Sequence, residues 1–252
     1  MGLFVPEDKF YDESVRQTGF NRYKQLLSLH FLDWFKVGLL TTAGALPLIA
    51  GITYSILVSS VLLLIPLSLL GGMFFGPFLA GLYDAIARGL RDDPMPWWEN
   101  YKKSWKQNCR GSLLPGALVG LFLGVYAFMF MLLWWAQTAI PVSVLSLFLI
   151  SGLLFITINT LYWPLLVLFE QSNADRLRNM LLFSAKYLWK VLGVGLLQLG
   201  YWSLFVLLAP WTLLLIPVLG AWYIVFLSLH LIYVPLNEEL QIEERLQSAA
   251  NA

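Results

Sequence analysis

Charge is what this sequence is short of: Asp, Glu, Lys and Arg make up 12% of its 252 residues, about half the share usual in soluble domains. Hydrophobic residues make up 59% and the mean hydropathy is +0.71, which excludes an ordinary soluble globule. Cysteine is nearly missing. Cys109 stands alone, so no disulfide can form within the chain and the redox compartment is not legible from it. The two histidines, His30 and His230, lie in different segments, and a metal site therefore lacks ligands. His-Glu-x-x-His, Gly-x-Ser-x-Gly and Gly-x4-Gly-Lys-Ser/Thr are all missing, so the search for an enzyme comes back nearly empty and no cofactor is expected. A net charge of +1 offers no global attraction to nucleic acid or to an acidic substrate.

The amino end also lacks the order of a secretory signal. Glu7, Asp8, Lys9, Asp12, Glu13, Arg16, Arg22 and Lys24 all precede the first long apolar run, and no cleaved leader is expected. Pro6 stands where a myristoylation motif wants Ser or Thr.

What is present is apolar sequence in long blocks. Three stretches carry no Asp, Glu, Lys or Arg: 37–83 (47 residues), 111–169 (59) and 191–237 (47). A helix crosses the hydrocarbon core, roughly 30 Å thick, with about 20 residues. Two crossings fit each stretch and three do not. The expectation is an all-α polytopic membrane protein with six transmembrane helices arranged as three hairpins. All 16 Lys and Arg fall in the segments that an even number of crossings leaves on one side, and the positive-inside rule makes that side, with both termini, cytoplasmic. The chain then divides into a cytoplasmic segment 1–36, hairpin 37–83, a cytoplasmic amphipathic helix 84–110, hairpin 111–169, a second such helix 170–190, hairpin 191–237 and a tail 238–252. Uncharged outer turns are expected near 51–55, 136–141 and 209–212, with Trp134, Trp135 and Trp211 as an outer aromatic belt.

A pattern repeats within the blocks. Pro77, Pro164 and Pro235 each follow an aromatic residue by two positions, near the charged end of a second hairpin helix. Trp34-Phe35-Lys36, Trp105-Lys106 and Trp189-Lys190 each precede a first hairpin helix, where indole and ammonium anchor at headgroups. These positions mark a candidate three-fold internal repeat; the alternative is that interfaces gather Trp, Lys and Pro without any repeat.

The clearest amphipathic segment runs over 92–110, with Asp93 as cap and Pro94 in the first turn. On a helical wheel Lys102, Lys103, Lys106 and Arg110 share one arc, and Trp97, Trp98, Tyr101 and Trp105 lie about opposite. That predicts a helix lying flat on the inner leaflet, aromatics down, its cations toward anionic lipid or a protein partner. Residues 174–190 play the same part less cleanly. Gly116, Gly120 and Gly124 recur every fourth residue, a spacing that admits another helix closely, either within the chain or across a homo-oligomer. Inside the spans there are no acids or strong bases, which argues against ion- or proton-coupled transport. Asn159, Thr157, Gln137 and Gln198 are candidates for hydrogen bonds between helices or for a polar path, and His230 for a packing residue. Asp84 and Glu170 are paired carboxylates at the inner boundary, read first as solvated helix ends.

The stretches "GPFLAGLYDAIARGLRDD" and "WWENYKKSWKQN", with Gly76, Pro77, Ala80, Arg88 and Asn108, resemble the YesL-like family of uncharacterised bacterial integral membrane proteins, and "YWPLLVLFEQSNADRLRN" echoes them. The resemblance implies a protein of the bacterial cytoplasmic membrane, in a family frequently associated with carbohydrate-uptake systems, and brings no catalytic residues. Two functions are thus expected in order: a non-catalytic accessory or scaffold protein whose helix at 97–110 meets a partner such as a transporter subunit, and a small transporter or channel for a neutral or amphiphilic solute, lined by Asn159, Thr157, Gln198 and the breaks at Pro47 and Pro66. An enzyme acting through Asp84 and Glu170 comes third.

Overall fold

The computed structural model describes residues 16–93, 96–135, 141–169, 171–209 and 211–244. Among them every regular element is helical: α1 (Gly19–Leu57), α2 (Val61–Leu90), α3 (Trp97–Trp135), α4 (Val142–Leu168), α5 (Asn173–Lys186), α6 (Leu188–Leu207) and α7 (Ile216–Leu240), with a 3-10 turn at Trp211–Leu215. All but α5 are long and apolar enough to cross a membrane. The chain is an all-α polytopic membrane protein, and α1–α2, α3–α4 and α6–α7 form its three hairpins.

The second helices of the three hairpins, α2, α4 and α7, touch one another, and each first helix packs between two of them: α1 between α7 and α2, α3 between α2 and α4, α6 between α4 and α7. Pro77, Pro164 and Pro235 lie on those central helices and all three are buried.

The closest approach joins α2 to α3. Ser68, Gly72 and Gly76 face Ser112, Gly116, Gly120 and Gly124, backbone against backbone. A Cβ on Gly116 would lie 2.7 Å from the Gly76 Cα, and one on Gly120 2.6 Å from the Gly72 Cα. Where lipid is as apolar as any side chain, helices associate through such close van der Waals contact. The glycine row on α3 thus serves packing within the chain, and its partner row is Ser68-Gly72-Gly76-Ala80, the same four-residue spacing on α2.

Four boundaries differ from the expectation. Residues 51–55 do not turn; they lie inside α1, where Gly51 lets the helix approach Leu67, and the chain reverses at 58–60. Ser59 takes a left-handed φ of 53°, and the Ser60 hydroxyl accepts from the Leu63 N–H to start α2. An unbroken apolar run carries no signal for where it reverses. Second, 84–110 is not one amphipathic helix: 84–90 ends α2, and 97–110 begins α3, a single helix of 39 residues. Asp93 precedes that helix without being its first cap residue, and Pro94 lies outside the described residues. Third, 19–36 is not a separate surface segment. It is the first half of α1, and its Leu26 and Trp34 are core residues. Fourth, the helix expected over 170–190 is α5 only as far as Lys186, while 188–190 already open α6. The connection at 136–140 lies outside the described residues, and the third one falls at 208–215.

The core partner of that first half is α7, which runs antiparallel along it. Glu243, just past the end of α7, bonds Arg16; Phe226 packs on Trp34, Trp222 on Gly38, and Gly220 stands opposite Thr42. Beyond Thr42, α1 runs on to Leu57, about 22 Å further at 1.5 Å per residue. α7 is the shorter helix, so α1 outreaches it at the far end while the two are level at the charged end, where Arg16 meets Glu243. Gly220 breaks the helical backbone of α7, and the Tyr201 hydroxyl lies 3.0 Å from the carbonyls of both Leu219 and Gly220, supplying the donor that the break withdraws.

The seam generates a paired test. Gly120→Leu forces a side chain into the α2 backbone and should destabilise by more than the 1–3 kcal/mol typical, roughly, of overpacking, read as loss of monodisperse protein in detergent. Gly193→Leu enters open space on α6 and should leave the elution profile unchanged.

Candidate functional site at the charged end

The last turn of a helix leaves carbonyls without intrahelical donors and carries partial negative charge. At the end of α2 the Leu90 carbonyl accepts from Arg16 (2.7 Å) and from Arg22 (3.2 Å). Arg22, 7% exposed, also donates to Gln25 and to the Asp92 carboxylate at 2.6 Å. Arg16 reaches Glu243 at 2.9 Å, and Tyr233 donates to the same carboxylate. On α2 itself Arg88 bridges Asp84 (2.9 Å) and Asp93 (2.8 Å). Arg91 lies 3.9 Å from Asp93, and burial pushes its guanidinium below its ordinary value while Asp84 and Asp93 oppose the shift. Arg16, Arg22, Arg88 and Arg91 thus face Asp84, Asp92, Asp93 and Glu243. Four cations answer four anions, and the cluster pins the ends of α1, α2 and α7 together.

Asp84 is 4% exposed and held by Arg88, an ion pair rather than a solvated helix end. Glu170 lies outside the described residues. Among the described residues no cluster of three His, Cys, Asp or Glu could hold a metal.

A second polar group forms around α5. Ser172 caps it, accepting from the Asp175 N–H. Arg176 donates to the Tyr162 hydroxyl, Asn173 and the Gln171 carbonyl, and its guanidinium stacks over the Tyr162 ring. Gln171, Ser172, Asp175, Arg178, Asn179 and Leu182 line an open depression of about 500 Å³ beside this turn. At the other end of α5 Lys186 pairs with Glu239 of α7, and that hydrogen bond raises the lysine above its ordinary value.

The polar residues inside the spans differ in what they bond. Gln198 of α6 donates to Thr160 of α4 at 2.6 Å and to Ser228 of α7 at 2.8 Å, and both hydroxyls donate in turn to a carbonyl one turn back. Asn159 bonds the Phe155 carbonyl and accepts from the Trp163 indole within α4. Thr157, beside Gly195, has a buried hydroxyl without a partner. His230 packs against the rings of Tyr23 and Phe226. Gln137 and the side chain of Trp134 lie outside what is described, and Trp135 and Trp211 are exposed.

The first half of α3 is organised differently from the flat helix expected. Tyr101 is buried against Gly81, Trp97 is half-buried with the Lys36 ammonium over its ring, and Trp105 meets Phe78 edge-on. The aromatic arc therefore faces α1 and α2. Trp98 stays 45% exposed, with the Lys102 ammonium 5.2 Å from its ring centre. Lys102, Lys103, Lys106 and Arg110 are exposed, and among the described residues none of them forms an ion pair.

In comparisons with known proteins, no family model, no curated protein and no solved structure matches the chain.

The arginine cluster makes a sharp prediction. Asp84→Ala leaves Arg88 partly buried with one carboxylate fewer and should cost about 3–5 kcal/mol, whereas the double change Asp84→Leu, Arg88→Met should recover most of that loss in thermal unfolding in detergent.

Proposed function

We propose that the chain is a non-catalytic accessory or scaffold protein of the bacterial cytoplasmic membrane, with its charged end in the cytoplasm. The observation that carries this reading is the contrast between two sets of charges. Those at the ends of α1, α2 and α7 are consumed in holding the bundle closed, while Lys102, Lys103, Lys106 and Arg110 on α3 are exposed and form no ion pair among the described residues. The bridging of α4, α6 and α7 by Gln198 supports the same reading, because side chains that could have lined a polar path are bonded to one another. The resemblance to YesL-like proteins makes a carbohydrate-uptake system the setting, and a transporter subunit the partner.

A small transporter for a neutral or amphiphilic solute is the second reading, favoured by the unpartnered Thr157 hydroxyl inside α4. Purification in mild detergent from native membranes separates the two. A scaffold should retain a membrane partner in fixed proportion, and a chain that always elutes alone overturns that reading. Solute flux in proteoliposomes that disappears with Asn159→Leu would establish the transporter instead.

A further inference from the structure

Resting on the scaffold reading, we propose that the outward face of α3 formed by Trp98, Lys102, Lys103, Lys106 and Arg110 docks an acidic helix of a partner protein. The lipid surface is the competing occupant, and the geometry of α3 disfavours it. Lys102, Lys106 and Arg110 are four residues apart on one helix, α3, ahead of its internal Pro115, so they form a row along its axis with steps of about 6 Å. That axis continues into the span. The row therefore crosses the headgroup layer instead of lying in it, and the layer is only about 5–8 Å deep on each side. Counted from Gly111, where the charge-free stretch begins, Lys106 lies about 7 Å out, Lys103 about 12 Å, Lys102 about 13 Å and Trp98 about 20 Å. Headgroups reach the lower half of the face and leave the upper half bare.

What remains exposed beyond them has the composition of a protein contact. An indole with an ammonium on its ring, beside Lys103, Lys106 and Arg110 and with Glu99 as the one carboxylate among them, offers a flat apolar anchor on a face of net positive charge. Charge complementarity then specifies the partner. A helix bearing Glu or Asp at every fourth position repeats at the same 6 Å or so as Lys102 and Lys106, and lying antiparallel along the upper part of α3 it meets the cations that headgroups leave free. Among the described residues these cations form no ion pair, so docking breaks none there.

A photo-crosslinking amino acid at Lys103, in the full-length protein in its native membrane, tests the assignment by the mass and sequence of the adduct. The expected product is a peptide with carboxylates at helical four-residue spacing. Lys102→Glu with Lys106→Glu should lower its yield at least tenfold, about 1.4 kcal/mol of binding, and Lys replacements at those partner carboxylates should restore it. The double variant should unfold at the same temperature as the parent, since neither side chain supports the fold. A phospholipid adduct alone, or a peptide without acidic spacing, overturns the proposal. If the partner co-purifies undiminished with the double variant, the scaffold reading stands and this face is not its dock; if there is neither adduct nor co-purifying partner, both fall.

Discussion

The backbone contact between α2 and α3 is the constraint on which the rest of the structure depends. In hydrocarbon no water is released when two apolar surfaces meet, so helices are held by proximity, and proximity requires residues that occupy little space. Ser68, Gly72 and Gly76 provide it on one side, Gly116 and Gly120 on the other. Because α2 also touches α1, α4 and α7, fixing α2 to α3 fixes the centre of the bundle. The same contact continues past the glycines, where Gly81 receives the Tyr101 ring. α3 is thus held to α2 on both sides of Arg110, at Tyr101 and at Gly116 and Gly120.

At the charged end the governing cost is that of an unpaired buried ion. The protein meets it by matching arginines to carboxylates and to the free carbonyl at the end of α2, and by drawing the partners from segments remote in sequence. Arg16 and Glu243 are 227 residues apart, and Arg22 and Asp92 are 70 apart. Long-range pairs of this kind close the ring of hairpins where α7 returns to α1. Lys102, Lys103, Lys106 and Arg110 of α3 have no ion pair with the described residues of this network and lie outside it.

Much of the architecture was legible because it follows from counting. The charge-free stretches give six helices and three hairpins without any knowledge of packing, since length and hydropathy are set by the thickness of the bilayer. The four-residue glycine spacing on α3 likewise announced close packing. Its partner row on α2 was equally visible as Ser68-Gly72-Gly76-Ala80, but a serine and an alanine blur the pattern that three glycines make plain. The arginine cluster was not legible, because nothing local links Arg22 to Leu90 or Arg16 to Glu243. The flat orientation of 97–110 failed for a different reason. A helical wheel separates two faces but does not say whether the aromatic one meets lipid or another helix, and here it meets α1 and α2.

The three seams between successive hairpins show how one topology is held in three ways. Between α2 and α3 the solution is glycine against glycine. Between α4 and α6 it is polar, with Thr160 receiving Gln198 and the Thr157 side chain set against Gly195. Between α7 and α1 it is a knob in a hole: Gly38 leaves the space that the Trp222 ring fills. Each solution tolerates a different relative shift of its helices. A run of glycines locks register every four residues, whereas along α1 and α7 register is set by larger groups at separate levels, Trp222 at Gly38, Phe226 on Trp34, and the Arg16–Glu243 pair beyond them.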